Sequence, residues 1–422
     1  LQSSRAARAI LEALSLRSTI LVSVAVIVAS CQVIGGFDDL AFEPTSVGGT
    51  GGTGGGAAAG GSGGMQGACG VRPPLKVPSD GVGTPTEFTV ALRKLDFGED
   101  MLSDGPLVGY DLDERCSCEG DPAGEVSDPG CVIPDYVADP GNVCDGPRGR
   151  DNNMAKLLGG AFGLAISSAD LSAAAERGEA TALFHVSEYN GLPNDDQVTV
   201  AVYAADDLDA EPCFTPGGGG AGGVPGGAQI AQWDGEDVWP VLSSSVKESM
   251  TGEQMCPHPD EVPLAAYEDP IAYVSGGVLV ASLAEAELFI GGVNFQTPIR
   301  LTSSFVTGKL ENVNGRWHLR DGIITGRWAL PDIFDVLAYA KFGSASLCTR
   351  DPLYKALRQA ICEHVDISSS PLVPNPGCDA LSYALAIEAD PARIGNVVDA
   401  PALVDDCSRG ESPMDDSCKN IK

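Results

Sequence analysis

Between Asp96 and Asp151 the chain carries fifteen Asp or Glu, three Arg and four Cys. Two stretches concentrate them: GYDLDERCSC, Gly109 to Cys118, and CDGPRGRDNN, Cys144 to Asn153. Asp111 and Asp113 are spaced D-x-D, Asp145 lies six residues before Asp151, and Asn152 follows. A hard divalent cation recruits carboxylates, amides and carbonyls on a turning backbone, and calcium takes about six to eight such oxygens. Asp111, Asp113, Asp145, Asp151 and Asn152 are therefore the candidate calcium ligands, on loops that disulfides would staple. The register is not that of an EF-hand, which needs D-x-D-x-D-G and a terminal Glu. So loose a pattern is unspecific. On the plainer view these are solvated loop charges, with Asp151 or Asn152 capping a helix that starts near Met154.

A second set is aromatic. YNGLPND (Tyr189 to Asp195) and WDGEDVW (Trp233 to Trp239) offer Tyr189, Asn190, Asn194, Trp233, Asp234 and Trp239. A sugar presents an apolar face and many hydroxyls, which suits an aromatic platform edged by amides and carboxylates. The alternative places both tryptophans in the core and makes YNG a turn, since buried aromatics are the commoner case. Nucleophilic and metalloprotease machinery is not evident: no G-x-S-x-G sits between a strand and a helix, and H-E-x-x-H does not occur. His185, His258, His318 and His364 are far apart in sequence. His185 and His318 fall on strand faces opposite the apolar ones, where exposure is expected. Cys362-x-His364-x-Asp366 has ligand-like spacing, but Cys362 is expected to be half of a disulfide. Glycosidase carboxylates leave no sequence signature, so an exported hydrolase acting on polysaccharide through a carboxylate pair is the rival to a binding role.

The elements that must position these residues are mostly strands. FTVALRKL (Phe88 to Leu95) alternates, as does TALFHVSEY, with Ala182, Phe184 and Val186 on one face. DQVTVAVYA places Val198, Val200 and Val202 together. Asn314-Gly315 between two alternating runs predicts a type I′ hairpin, and Asp321-Gly322 a second turn or a bulge. LSYALAIEA, near Leu381, alternates at Tyr383, Leu385 and Ile387. Helices are fewer. Ser167-x-x-Asp170 predicts a capped helix that Gly178 ends; others begin at Pro331 and at Asp351-Pro352. The fold expected is mainly β, an antiparallel sandwich or meander with a few short helices, stapled by disulfides.

The amino-terminal segment has its own pattern. Arg5, Arg8 and Arg17 precede an uncharged run in which the strongly apolar part, Ile20 to Ala29, is ten residues. That is half of the about 20 needed to cross the hydrocarbon core as a helix. A longer uncharged count, Ser18 to Phe37, keeps an uncleaved span as the alternative. Val28-Ala29-Ser30-Cys31 resembles the lipobox of bacterial lipoproteins. The resemblance implies a leader cut before Cys31, a diacylglyceryl group on its thiol and an acyl chain such as palmitate on its new amino terminus. Multiple chains anchor stably where a single one does not. Gln32 after the cysteine implies the outer membrane of a Gram-negative cell. GYDLDERCSC, CDGPRGRDN, YNGLPND, WDGEDVW and DGIITGRW are together similar to uncharacterised cysteine-containing lipoproteins of myxobacteria, a resemblance that implies no activity.

Composition agrees with an exported chain. Of thirteen cysteines, acylation of Cys31 would leave twelve, an even number for disulfides in an oxidising compartment. The formal charge of −32 repels nucleic acid and favours cations or a basic partner. GGTGGTGGGAAAGGSGG (Gly48 to Gly64) reads as a flexible tether rather than a phosphate loop, because no strand precedes it. A second glycine run, Pro216 to Ala228, would be a loop closed at its base by Cys213 and Cys256. The organisation expected is a signal peptide over 1–30, anchor and tether over 31–75, a β-rich domain over 76–330 with its acidic Cys-rich segment at 96–151, and a helical, Cys-rich part over 331–422 packed on it. The function expected is a lipid-anchored surface protein with a binding or structural role, towards a glycan or a surface protein partner, with calcium as its structural ion.

Overall fold

The computed structural model describes residues 70–101, 107–118, 129–160, 167–208, 230–247, 262–292, 295–342, 345–373, 376–400 and 403–419. The leader, Cys31, the tether and the glycine-rich run with Cys213 and Cys256 lie outside the described residues. In chain order the strands are β1 (Thr86–Asp96), β2 (Thr181–Tyr189), β3 (Asp195–Ala205), β4 (Val238–Leu242), β5 (Tyr267–Ser275), β6 (Val278–Gly292), β7 (Phe295–Val313), β8 (Arg316–Ala329), a short β9 (Lys341–Phe342) and β10 (Ala345–Ser346), and β11 (Ala380–Val398). The helices are α1 (Asn153–Gly159), α2 (Ser168–Arg177), α3 (Leu330–Tyr339) and α4 (Pro352–Glu363).

Eight strands close on themselves in the order β1-β2-β3-β5-β6-β7-β8-β11, each antiparallel to its neighbours, and β11 pairs back with β1. The expected sandwich is thus corrected to a closed barrel. The physical reason is that β11 bonds along both edges, Ala384 opposite Thr325 of β8 and Ala392 opposite Thr89 of β1, so no sheet edge is left to end a layer. The eighth strand of the barrel, β11, comes from the carboxy-terminal part of the chain.

The alternation sets the inside. Ala182, Phe184 and Val186 of β2 and Val198, Val200 and Val202 of β3 join one large core with Leu279, Leu301, Ile324 and Leu385. The Asn314-Gly315 turn has both residues at positive φ, 55° and 84°, as a type I′ hairpin requires. Asp321-Gly322 is a bulge within β8: two residues lie between the pairs Thr307–Ile323 and Lys309–Arg320, opposite Gly308 alone. The bulge bends the wall around Leu319. A Cβ on Gly322 would lie 2.5 Å from Leu319 Cδ2 and 2.8 Å from the Thr307 carbonyl oxygen.

Helices α1 to α4 close one end. Ser167 caps α2 and Gly178 ends it in the left-handed region; Asp351 caps α4. Met154, Leu157, Leu171, Ile333, Leu337 and Ile361 meet Trp328 and Leu381 there around an apolar space of about 30 Å³, too small for an organic ligand. Four disulfides join Cys118–Cys144, Cys131–Cys378, Cys348–Cys407 and Cys362–Cys418, and Cys116 is also disulfide-bonded. Outside the wall, the 230–247 segment lays Trp239 and Val241 over Leu183, Ala201 and Tyr203 as a second core. Elsewhere the outer wall carries ion pairs such as Arg93–Asp390, Lys94–Glu388 and Arg300–Glu287. An apolar lumen with a charged wall is the inverse of a membrane-spanning barrel. Among the described residues no helix is long and apolar enough to cross a membrane.

Gly322→Ala is expected to destabilise the barrel by about 1–3 kcal/mol, because the methyl meets backbone as well as a side chain. Urea unfolding measures it; an unchanged midpoint would mean the wall relaxes freely at the bulge.

Candidate cation site on the outer wall

The face of β11 that points away from the lumen is built from small residues, Ser382, Ala384 and Ala386, between the inward Leu381, Tyr383, Leu385 and Ile387. Small side chains let two loops approach the strand. Val108 packs on Ala384 and Ala386, and Tyr110 Oη lies 3.0 Å from Thr307 Oγ1 of β7. Asn152 then locks the corner before α1. Its Oδ1 accepts from Ala155 N and Ala384 N, and its Nδ2 donates to the Phe97 and Val108 carbonyls. Every hydrogen-bonding position of that amide is used internally, so Asn152 is the helix cap and is corrected from ligand to strut.

The loops bring the aspartates together. One carboxylate oxygen each from Asp111, Asp113 and Asp151 lie within 4.8 Å of one another. Arg115 N donates to both Asp111 Oδ1 (3.2 Å) and Asp113 Oδ1 (3.0 Å), and Leu112 N donates to Asp151 Oδ2 (2.6 Å). Asp145 stands beside this trio rather than in it, and accepts from Ser117 N at 2.6 Å. Gly149, at φ +73°, allows the close approach, since a Cβ there would lie 2.6 Å from the Arg115 carbonyl and 3.0 Å from Cys116 Sγ.

Burial sets the electrostatics. Asp111 and Asp151 are 8 % and 2 % exposed. Loss of water, then the neighbouring Asp113 charge, pushes Asp111 from 3.8 up to about 6. The same two causes push Asp145 up to about 8. Asp151 rises well above its ordinary value through burial and the Asp145 charge. Asp366, from the segment after α4, adds its field; burial lifts it to about 6 although Ser382 N (2.8 Å) and Oγ donate to it. The cations nearby are the half-buried Lys156 and the buried Arg327. Lys156 Nζ donates to the Asn142 and Cys144 carbonyls, and Arg327 to the Ser368 and Leu112 carbonyls at 2.6 Å each. Both side chains are anchored to backbone carbonyls, and the acids around them outnumber them, a surplus of carboxyls that a divalent ion would balance.

A cleft of about 800 Å³ opens beside the aspartates, lined by Leu112, Asp113, Glu114, Arg115, Val132, Arg327, Ser368 and Val373 among others. Asp113 belongs to both the trio and the cleft wall. Sequence reasoning missed Asp366 as part of this cluster and Arg327 altogether. The one available signal was an arginine inside the apolar DGIITGRW run.

The aromatic candidates are placed elsewhere and are spent on structure. Tyr189 is 2 % exposed, packs edge-on against Phe88 and Trp317, and donates to the Leu192 carbonyl. Asn190 and Asn194 brace the turn: Asn190 Nδ2 donates to the Asn194 carbonyl, and Asn194 bonds Asp80 and Gly276 N. Trp239 is wholly buried, Trp233 lies against it with ring centroids 5.8 Å apart and under the Arg93 guanidinium, and Asp234 caps its own turn at Glu236 N. Tyr189 and Trp239 therefore face core rather than solvent. The two histidines expected to be exposed point outward but are covered: His185 lies against Thr89 and Glu87, and His318 against Asp390 and Arg320.

No family model matches the chain, and neither the curated proteins nor the solved structures give a match.

Carboxyls raised by burial hold protons in the native state that the unfolded state releases. Stability from these groups is therefore full below the ordinary value of 3.8, falls as pH rises from there, and is lost once pH has passed the raised values of Asp111, Asp366 and Asp145. In EDTA the melting temperature is expected to drop between about pH 4 and pH 8, and Asp145→Asn to flatten that drop. Thermal melts across the range decide it, and a flat wild-type profile would remove the buried acids from the account.

Proposed function

We propose that the chain is a lipid-anchored envelope protein, outward-facing and held at the outer membrane of a Gram-negative cell through Cys31. Its barrel is a binding module, and calcium sits among Asp111, Asp113 and Asp151 with Asp145 beside them. The observation that carries this reading is Asp113, which contributes to the carboxylate trio and also lines the cleft. An ion on the trio would stand at the wall of a space large enough for a small ligand. The lipobox-like Val28-Ala29-Ser30-Cys31 and the glycine tether support the anchor, and the charged outer wall supports a barrel bathed in water. A polysaccharide hydrolase would want two carboxylates about 5–10 Å apart across its substrate. Three aspartates converging within 4.8 Å suit a shared cation better.

A ligand that binds only the native state, at about 100 times its Kd, stabilises it by roughly 2.7 kcal/mol. The full chain is thus expected to melt several degrees higher in calcium than in EDTA, to respond less to magnesium, and to lose the gain in Asp113→Asn and Asp151→Asn. No shift up to millimolar calcium would leave the cluster as buried, protonated acid. For the anchor, Cys31→Ala is expected to release the protein from membranes; retention with the leader attached would favour an uncleaved span.

A further inference from the structure

We infer that the cleft beside the aspartates takes a carboxylate-bearing saccharide, a uronate, whose carboxylate faces Arg327 and whose neighbouring oxygens complete the coordination of the cation at Asp113. This rests on the cation reading above and names the ligand of that same site. The independent observation is Arg327. It is 3 % exposed and lines the cleft, each of its terminal nitrogens donates to one backbone carbonyl and keeps a second N–H, and its Nε is buried without a partner. Burial works against its charge, and the field of Asp151, Asp113 and Asp366 works for it. A divalent ion on Asp111, Asp113 and Asp151 cancels much of that field. The guanidinium and the ion then form two positive centres on one wall, and an anion in the cleft restores the balance. Cation and anion should consequently bind with positive coupling, each raising the other's affinity by the same factor.

A saccharide fits this need better than an acidic peptide. Calcium fills about six to eight positions with oxygen, more than the trio and its neighbour supply. A uronate presents a carboxylate, a ring oxygen and hydroxyls within one residue, whereas a peptide offers carbonyls spaced along a chain. Val132 and Val373 line the same cleft and give the apolar CH surface of the ring something to lie on.

The test is calorimetric titration of the full chain with trigalacturonate and with neutral galactotriose, each in calcium and in EDTA. Expected is binding of the uronate in calcium, weaker by about tenfold or more in EDTA, and none of the neutral trimer. Arg327→Met should lose uronate binding while keeping the calcium-dependent rise in melting temperature. Should that variant fail to fold, Val373→Glu, at a half-exposed position of the cleft, should weaken the uronate several-fold by like-charge repulsion and leave the calcium rise intact. Calcium stabilisation without uronate binding overturns this inference and leaves the cation reading standing. So does equal binding of the neutral trimer, or calcium-dependent binding of oligoglutamate in place of the uronate. Absence of any calcium effect overturns both.

Discussion

The double pairing of β11, to β8 on one edge and β1 on the other, is the constraint on which the rest depends. Closure removes the sheet edges that an open β structure must protect. It also gives every stave one face that water never reaches, so the lumen can be uniformly apolar. The outer face then has two fates. Under the 230–247 segment it becomes a second core around Trp239. Elsewhere it carries ion pairs in which a basic side chain reaches in from solvent to a buried carboxylate, as at Arg93–Asp390 and Arg300–Glu287.

β11 also ties the fold to the candidate site. Its inward residues fill the barrel, while Ser382 and Ala384 on the other face receive Asp366, Asn153 N and Asn152. The acidic loops are therefore not appendages hung on a finished barrel. They are fixed to the strand that closes it, and the Cys131–Cys378 disulfide fastens the same region just before that strand begins. A rigid backing of this kind lets like charges be held together at close range, the arrangement a cation exploits.

Much of this was legible in the sequence because it is local. Period-two alternation marked the strands, Asn314-Gly315 the hairpin, and Ser167 and Asp351 the helix starts. Asp111, Asp113 and Asp151 were visible because each lies in a short stretch rich in Gly and Cys. Barrel and sandwich, by contrast, share one pattern of inward and outward residues. They differ in whether Thr89 and Ala392 meet, and no local signal reports that. Arg327 and Asp366 join the aspartates from distant strands and loops, so spacing could not reveal them. Trp239 did leave a trace. In VTVAVYAA the second face, Ala201, Tyr203 and Ala205, is apolar too, and a strand apolar on both sides needs a cover.

The seam between Thr89 and Ala392 also sets an order in time. Chains are made from the amino end, so β1 is among the first strands available and β11 the last. Until β11 arrives, β1 and β8 each hold out a row of unsatisfied backbone groups. Contacts so remote in sequence form slowly, and the waiting edges invite pairing with another chain. That interval is where a chaperone that masks strand edges would have its effect, well before any ligand meets the finished barrel.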